Sequence, residues 1–389
     1  MVISASITQN ILMYGVALGG CLVASEALKR LKQSEVIGQV LVGIILGPSL
    51  IGILYPNEIF NFIAELGALT LLLIAGLETD VRMVLKSGIP AILLAFGGVF
   101  FTIILVFPIV YLFSSNIFLS LYVSVTLGAT SISLTVRVFS EFGKLKGKEI
   151  QTIIISAVLD DLIVIFLLIF VIDLSLTGSF QLAKILNILV SVLIFFSIVF
   201  VLLFFSIKFL NQHIHRLKSR GGILVFVFTL GLLLGYFSST MGFSPIIGAY
   251  FAGLILGDLD IKDEILEEVS PVAFLTVPIF LVNIGLKVHL YTISTAIFIG
   301  LLLSTAAIIG KVLSGFPVGK LQKTDLRASI LLGAARIPRA EVVLVFANIG
   351  LELNIIHDVW YSALVVVMIT TTFLTPIILR YLLIGGEEK

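Results

Sequence analysis

Two adjacent carboxylates, Asp160 and Asp161, stand in the apolar run AVLDDLIVIF, about a dozen residues from either end of a hydrophobic stretch. An aspartate at the centre of a membrane helix costs about 2.5–3.5 kcal/mol on insertion scales, and two cost more. Packing has no need of them. A buried structural ion pair is the plain alternative; a cation or proton site is the functional one. Successive helical residues point about 100° apart, so one carboxylate can face a water-filled cavity while the other faces a neighbouring helix. Close carboxylates titrate as a coupled unit, which suits a site that exchanges protons for a cation. Lys311, in TAAIIGKVLSG, is the only lysine placed deep in an apolar run, and it is the natural partner for one of the two. Ser156 falls one helical turn before Asp160, where it either lines the same face or serves packing.

Two more segments carry polar chemistry inside apolar surroundings. One runs Gly128-Ala129-Thr130-Ser131-Ile132-Ser133-Leu134-Thr135; the other runs Gly333-Ala334-Ala335-Arg336-Ile337-Pro338-Arg339-Ala340-Glu341. Pro338 removes a backbone donor and interrupts the helical ladder. The pattern predicts two broken helices at mid-depth whose ends present carbonyls and amides to ions. Arg339 and Glu341 flank the second break, either as a structural pair or on the path of the ion. Arg336 is an additional cation beside it.

The elements that must position these residues are membrane helices. The chain of 389 residues is 59% hydrophobic and 12% charged, against about 45–50% and about 25% in soluble proteins. That excludes an ordinary cytosolic globule and a disordered chain. The lone Cys21 excludes an intramolecular disulfide. A net charge of +1 with no basic face argues against nucleic acid as a partner. Neither a His-rich metal set nor a nucleophile–base spacing supports an enzyme, and no cofactor is implied. Apolar runs of about 20 residues predict spanning helices. Thirteen are expected, at 7–28, 35–54, 59–77, 88–113, 117–140, 149–172, 183–210, 221–240, 244–257, 269–286, 291–316, 326–349 and 359–384. With that count, 18 Lys and Arg residues fall in loops or span ends on one side and only Lys184 and Lys287 on the other. This bias places the N-terminus outside and the C-terminus in the cytoplasm.

The spans also repeat. Ile37-Gly38, Gly43 and Leu46-Gly47 return as Ile247-Gly248, Gly253 and Leu256-Gly257, at a constant offset of 210 residues. Gly76-Leu77 returns as Gly285-Leu286, and Leu127-Gly128-Ala129 as Leu332-Gly333-Ala334. Partners are seven spans apart, an odd number, so they cross the membrane in opposite senses. Inverted repeats are an architecture of secondary transporters, with the substrate site at the repeat interface.

With these motifs in place, the chain resembles the monovalent cation:proton antiporters, specifically the NapA-type bacterial sodium/proton antiporters. The resemblance rests on AVLDD ending at Asp161, GATSISLTVRVFSEFG (128–143), IGQVLVGIILGP (37–48), LIAGLETD (73–80), PIIGAYFAGLILG (245–257), PIFLVNIGL (278–286), GKVLSG (310–315) and PRAEV (338–342). It implies an all-α integral membrane protein of the NhaA/NapA-like antiporter fold, with 13 transmembrane helices, an inverted-topology repeat and two crossed discontinuous helices. It implies a dimerisation domain from residues 1–87 and 221–290, a core ion-transport domain from 88–180 and 291–389, and a linker helix in 181–220. A homodimer in the plasma membrane would work by elevator-like movement of the core. By similarity, Asp161 is the principal carrier of cation and proton, with sodium held at Asp161 and Asp160. Asp160 pairs with Lys311 until the cation binds, and Thr130 and Ser131 add oxygens where the helices cross. Members with two aspartates are usually electrogenic. Ala340 departs from the family's usual glycine, and Arg336 is an addition. Potassium-efflux relatives often carry Gln-Asp at the aspartate pair, which favours sodium (or lithium) here. A potassium/proton antiporter is the alternative, and a sodium-coupled solute symporter a more distant one.

Overall fold

The computed structural model describes residues 7–31, 33–79, 88–131, 135, 136, 138, 139, 148–177, 190, 197, 221–240, 245–288 and 293–384. The expected linker span at 183–210, apart from residues 190 and 197, lies outside the described residues, and so does Arg137. Helices are the only regular elements among the described residues, with no strand among them. In chain order the helices are α1 (Ile7–Arg30), α2 (Glu35–Leu46), α3 (Glu58–Glu78), α4 (Ile89–Ser114), α5 (Ile117–Thr126) and α6 (Lys148–Thr177). There follow α7 (Gly222–Thr240), α8 (Pro245–Leu256), α9 (Lys262–Leu286), α10 (Ile293–Gln322), α11 (Leu326–Ala334), α12 (Glu341–Glu352) and α13 (Asp358–Ile384). Eight of these are long and apolar enough to cross a membrane.

Local chemistry sets the boundaries. Asn57 caps α3 by accepting from Phe60 N at 3.0 Å, Asn116 caps α5, and Asp325 caps α11 by accepting from Ala328 N at 2.8 Å. Such caps satisfy amides that the helix itself leaves unpaired. Ser115 ends α4 in the left-handed conformation, φ 50°. At α9 the structure extends the expected span backwards. The helix begins at Lys262, with Asp263 and Glu264 in its first turn, where carboxylates suit the helix dipole. Glu268 accepts from Leu224 N at 2.9 Å and so ties α9 to the start of α7.

The helix expected over 35–54 is shorter than the hydropathy suggests. It stops at Leu46, and the chain turns back through bonds from Gly52 N to Gly47 O at 2.7 Å and Leu54 N to Leu46 O at 2.8 Å. Pro48 is the cause: the residue before a proline is driven out of the helical region.

The helices sort into two sets. α1, α2, α3, α7, α8 and α9 pack chiefly on one another, as do α4, α5, α6, α10, α11, α12 and α13; the main contact between the sets joins α9 to α12. Glycines bring the backbones together in the first set. A methyl group on Gly43 of α2 would meet the Val282 carbonyl and stand 2.8 Å from Gly285 Cα on α9. One on Gly76 of α3 would meet the Tyr250 carbonyl and stand 3.0 Å from Gly253 Cα on α8. Small residues of this kind permit close helix approach in lipid. Gly43→Val should therefore wedge α2 from α9 and destabilise the fold by about 1–3 kcal/mol or more. Thermal melting of the purified protein in detergent measures this; an unchanged midpoint would show that the backbones can separate without loss.

Candidate functional site

The broken helices meet. α5 ends at Thr126, and α11 ends at Ala334. Between α11 and α12 the chain runs non-helically through Pro338, and Ser131 N donates to Pro338 O at 2.9 Å, joining the two breaks backbone to backbone. Tyr122 of α5 donates to Phe346 O of α12 at 2.6 Å and clamps the next layer. Freed carbonyls find side-chain donors. Thr135 Oγ1 donates to Ala335 O at 2.6 Å and Thr372 Oγ1 to Arg339 O at 2.7 Å, while Arg339 N donates to Thr371 Oγ1 at 3.3 Å. Buried backbone groups require such partners in lipid. The threonines of α13 are not among the site residues expected from the sequence; their signal there is the run Thr370-Thr371-Thr372 in an apolar helix.

Asp160, Lys311 and Arg336 lie together beside the first break, each with a fully buried side chain. Lys311 of α10 reaches Asp160 Oδ2 at 2.7 Å and the Gly128 carbonyl at 2.8 Å. Thr130 Oγ1 donates to the same Oδ2 at 2.9 Å. Arg336 donates to that oxygen through Nη2 and to the Leu94 carbonyl of α4 through Nη1. Gly98 leaves room for this guanidinium, because a methyl there would stand 2.9 Å from its nitrogens. Asp160 thus answers two cations and a hydroxyl with one oxygen. The sequence left the role of Arg336 open; the fold makes it a second counter-ion of Asp160.

Asp161 has different surroundings. It is half-buried, and its charge is felt by Tyr250 of α8, whose hydroxyl lies 3.3 Å from Thr79 Oγ1. Asp160 therefore points into the second helix set and Asp161 towards the first, as the 100° offset allows. The remaining candidates are placed differently. Ser156 is buried but donates to Ile153 O of its own helix at 2.8 Å rather than to either aspartate. Arg339 gives its bonds to the carbonyls of Leu127, Arg336 and Ile337, and so braces both breaks. Ser131 contributes its amide to the junction, as described. The Glu341 side chain lies outside what the structure describes, though its backbone opens α12.

The chemistry of this arrangement is clear in outline. A carboxylate held by two cations lies where the two broken helices meet. The neighbouring carboxylate of Asp161 lies half-buried towards the first helix set.

Comparison with known proteins gives a consistent answer. The family model "Sodium/hydrogen exchanger, transmembrane" matches residues 16–385. A sodium/proton antiporter of Enterococcus hirae is 29% identical over 360 residues, covering 92% of this chain and 94% of its own length. The probable sodium/proton antiporter GerT of Bacillus cereus is 31% identical over 363 residues, covering 92% of this chain and 95% of its own. Among solved structures, the sodium proton antiporter MjNhaP1 of Methanocaldococcus jannaschii superposes with a TM-score of 0.75, covers 96% of each chain and is 17% identical, a likeness of fold. With its fold, its broken-helix junction and a family match along nearly its whole length, the chain belongs to the sodium/hydrogen exchanger family of monovalent cation:proton antiporters.

Proposed function

We propose that this protein exchanges sodium or lithium ions for protons across the plasma membrane, with Asp161 as the carrier. The observation that carries this reading is the division between two adjacent carboxylates. One oxygen of Asp160 is held by Lys311, Arg336 and Thr130, whereas Asp161 is half-buried at the boundary between the helix sets. A carboxylate binds a proton or a cation, not both at once, and that exclusion couples the two fluxes. Sodium is a hard cation that takes oxygen ligands. Asp161 supplies one, and Thr130, Ser131 and Asp160 lie at the helix junction to add more when Lys311 withdraws.

The architecture we propose has 13 spans, with the N-terminus outside and the C-terminus in the cytoplasm. The inverted repeat is supported by the glycine contacts. The pair Gly43–Gly285 becomes Gly253–Gly76 when each residue is replaced by its repeat mate. The same exchange turns the close approach of Gly47 to Leu286 into that of Gly257 to Leu77. The first helix set is the dimerisation domain of a homodimer, and the second is a core that moves against it, elevator-fashion. Sparse contact between the sets among the described residues supports this mobility.

The test uses purified protein in liposomes under an imposed pH gradient, with sodium, lithium and potassium added in turn. Proton movement on adding sodium or lithium, but not potassium, is the expected result. Potassium as effective as sodium would replace the assignment by potassium/proton exchange. Acceleration by a membrane potential is expected for electrogenic exchange, and a rate indifferent to potential would overturn that part.

A further inference from the structure

A second polar site lies away from the aspartates, between the helix sets. A cavity of about 240 Å³ is lined by Asn61 and Glu65 of α3, Asn283 of α9, Lys287 at its end, and Asn348 and Glu352 of α12. These positions fall at the face where the sequence places few basic residues, and Lys287 is one of its two. Lys287 Nζ donates to Asn348 Oδ1 at 2.5 Å and stands 3.6 Å from Glu352, which also accepts from Asn348 Nδ2 at 2.6 Å. Burial lowers the Lys287 ammonium from the ordinary lysine range, and the charges of Glu352 and Glu65 draw it back up.

Two oxygens of this cavity are not used by the fold. Asn283 Oδ1 and Asn61 Oδ1 are buried without a hydrogen-bond partner, and Asn283 as a whole is 5% exposed. A buried carbonyl oxygen left unpaired is costly, which points to an absent ligand. The cavity has room for a small cation with several waters. Two carboxylates against one ammonium leave it formally one negative charge, which a monovalent cation neutralises. Asn283 and Asn61 offer acceptor oxygens at their unpaired ends, which suit a cation or the water that hydrates it.

We propose that this cavity is an outer staging site for the transported monovalent cation. Asn61, Asn283, Glu65 and Glu352 supply oxygens, and Lys287 is a tethered ammonium that competes with the ion for Glu352 and Asn348. Its transport role rests on the antiport reading above. Because α3 and α9 belong to one helix set and α12 to the other, sliding of the sets remakes the site at each cycle.

The test reads the half-saturating sodium concentration separately from the two faces of reconstituted protein. Asn283→Leu and Glu65→Gln should raise it severalfold when sodium is added on the cavity side and leave it at the wild-type value on the other. Lys287→Met should shift it the opposite way on the cavity side, since the competitor is gone. Shifts of one sign in all three variants, or equal shifts on both faces, would overturn the proposal. A second measurement needs no transport: sodium-dependent thermal stabilisation of purified Asp161→Asn. Stabilisation retained there and lost on adding Asn283→Leu supports the outer site. No stabilisation in Asp161→Asn overturns it, even if the wild type exchanges ions. A wild type that moves no protons with any cation sinks the antiport reading instead, while the stabilisation test still decides on the cavity.

Discussion

Asp161→Asn is expected to reduce sodium-driven proton movement in liposomes to that of protein-free vesicles. The amide keeps the size and shape of the carboxylate but cannot take up and release a proton near neutral pH, and it brings no charge to a cation. Because Asp161 is half-buried at the boundary of the helix sets and outside the Asp160 cluster, the exchange is nearly isosteric and the protein should still fold. A melting midpoint within a few degrees of wild type would show this. Loss of exchange in a folded variant then isolates the carrier. Appreciable cation-dependent exchange in Asp161→Asn would falsify the assignment of this residue.

The second large effect concerns stability, and it is asymmetric. Asp160 faces both Lys311 and Arg336, and all three side chains are fully buried. Asp160→Asn leaves two cations without that carboxylate. Breaking a buried ion pair by removing one partner costs about 3–5 kcal/mol, because an uncompensated charge remains. Lys311→Met leaves Asp160 with Arg336, a balanced pair, and Arg336→Met leaves it with Lys311. Each of those should cost less than Asp160→Asn. Adding Lys311→Met to Asp160→Asn should restore part of the loss. Equal destabilisation by the three single changes, measured by thermal melting in one detergent, would mean that Arg336 does not act as a second counter-ion. Arg336→Met should also free the cavity beside Gly98, so Gly98→Ala, disruptive in the wild type, becomes tolerated in that background.

Several readings depended on where residues lie in sequence and others on what the fold brings near. Asp160, Asp161 and Lys311 stand out because each is a charge in an apolar run, and the cost of such a charge is visible in one dimension. Asp160 and Lys311 do meet. Ser156 was singled out by the same helical arithmetic, yet its hydroxyl turns to its own backbone, a choice of rotamer that spacing does not fix. The span expected over 35–54 is too long because hydropathy integrates over Pro48, whereas the backbone cannot. The outer cavity was invisible: Glu65, Lys287 and Glu352 are ordinary charges near span ends until α3, α9 and α12 bring them together.

The sequence by itself determined that this chain is a helical membrane protein, that two of its apolar segments are broken, and that Asp160, Asp161 and Lys311 are charges inside apolar runs. Composition, hydrophobic run length and proline placement are local quantities, and each follows from the cost of moving polar groups into hydrocarbon. Only the tertiary structure decided that Asp160 meets Lys311 and Thr130 through one oxygen while Asp161 stays half-buried. It also decided that Arg336 shares the oxygen held by Lys311, and that Asn283 is buried with an unpaired oxygen facing a cavity. Those outcomes depend on the rotation of each helix about its axis and on distances between residues more than a hundred positions apart. Close packing at Gly43, Gly76, Gly253 and Gly285 fixes the first helix set, and the backbone junction at Ser131 and Pro338 fixes the second.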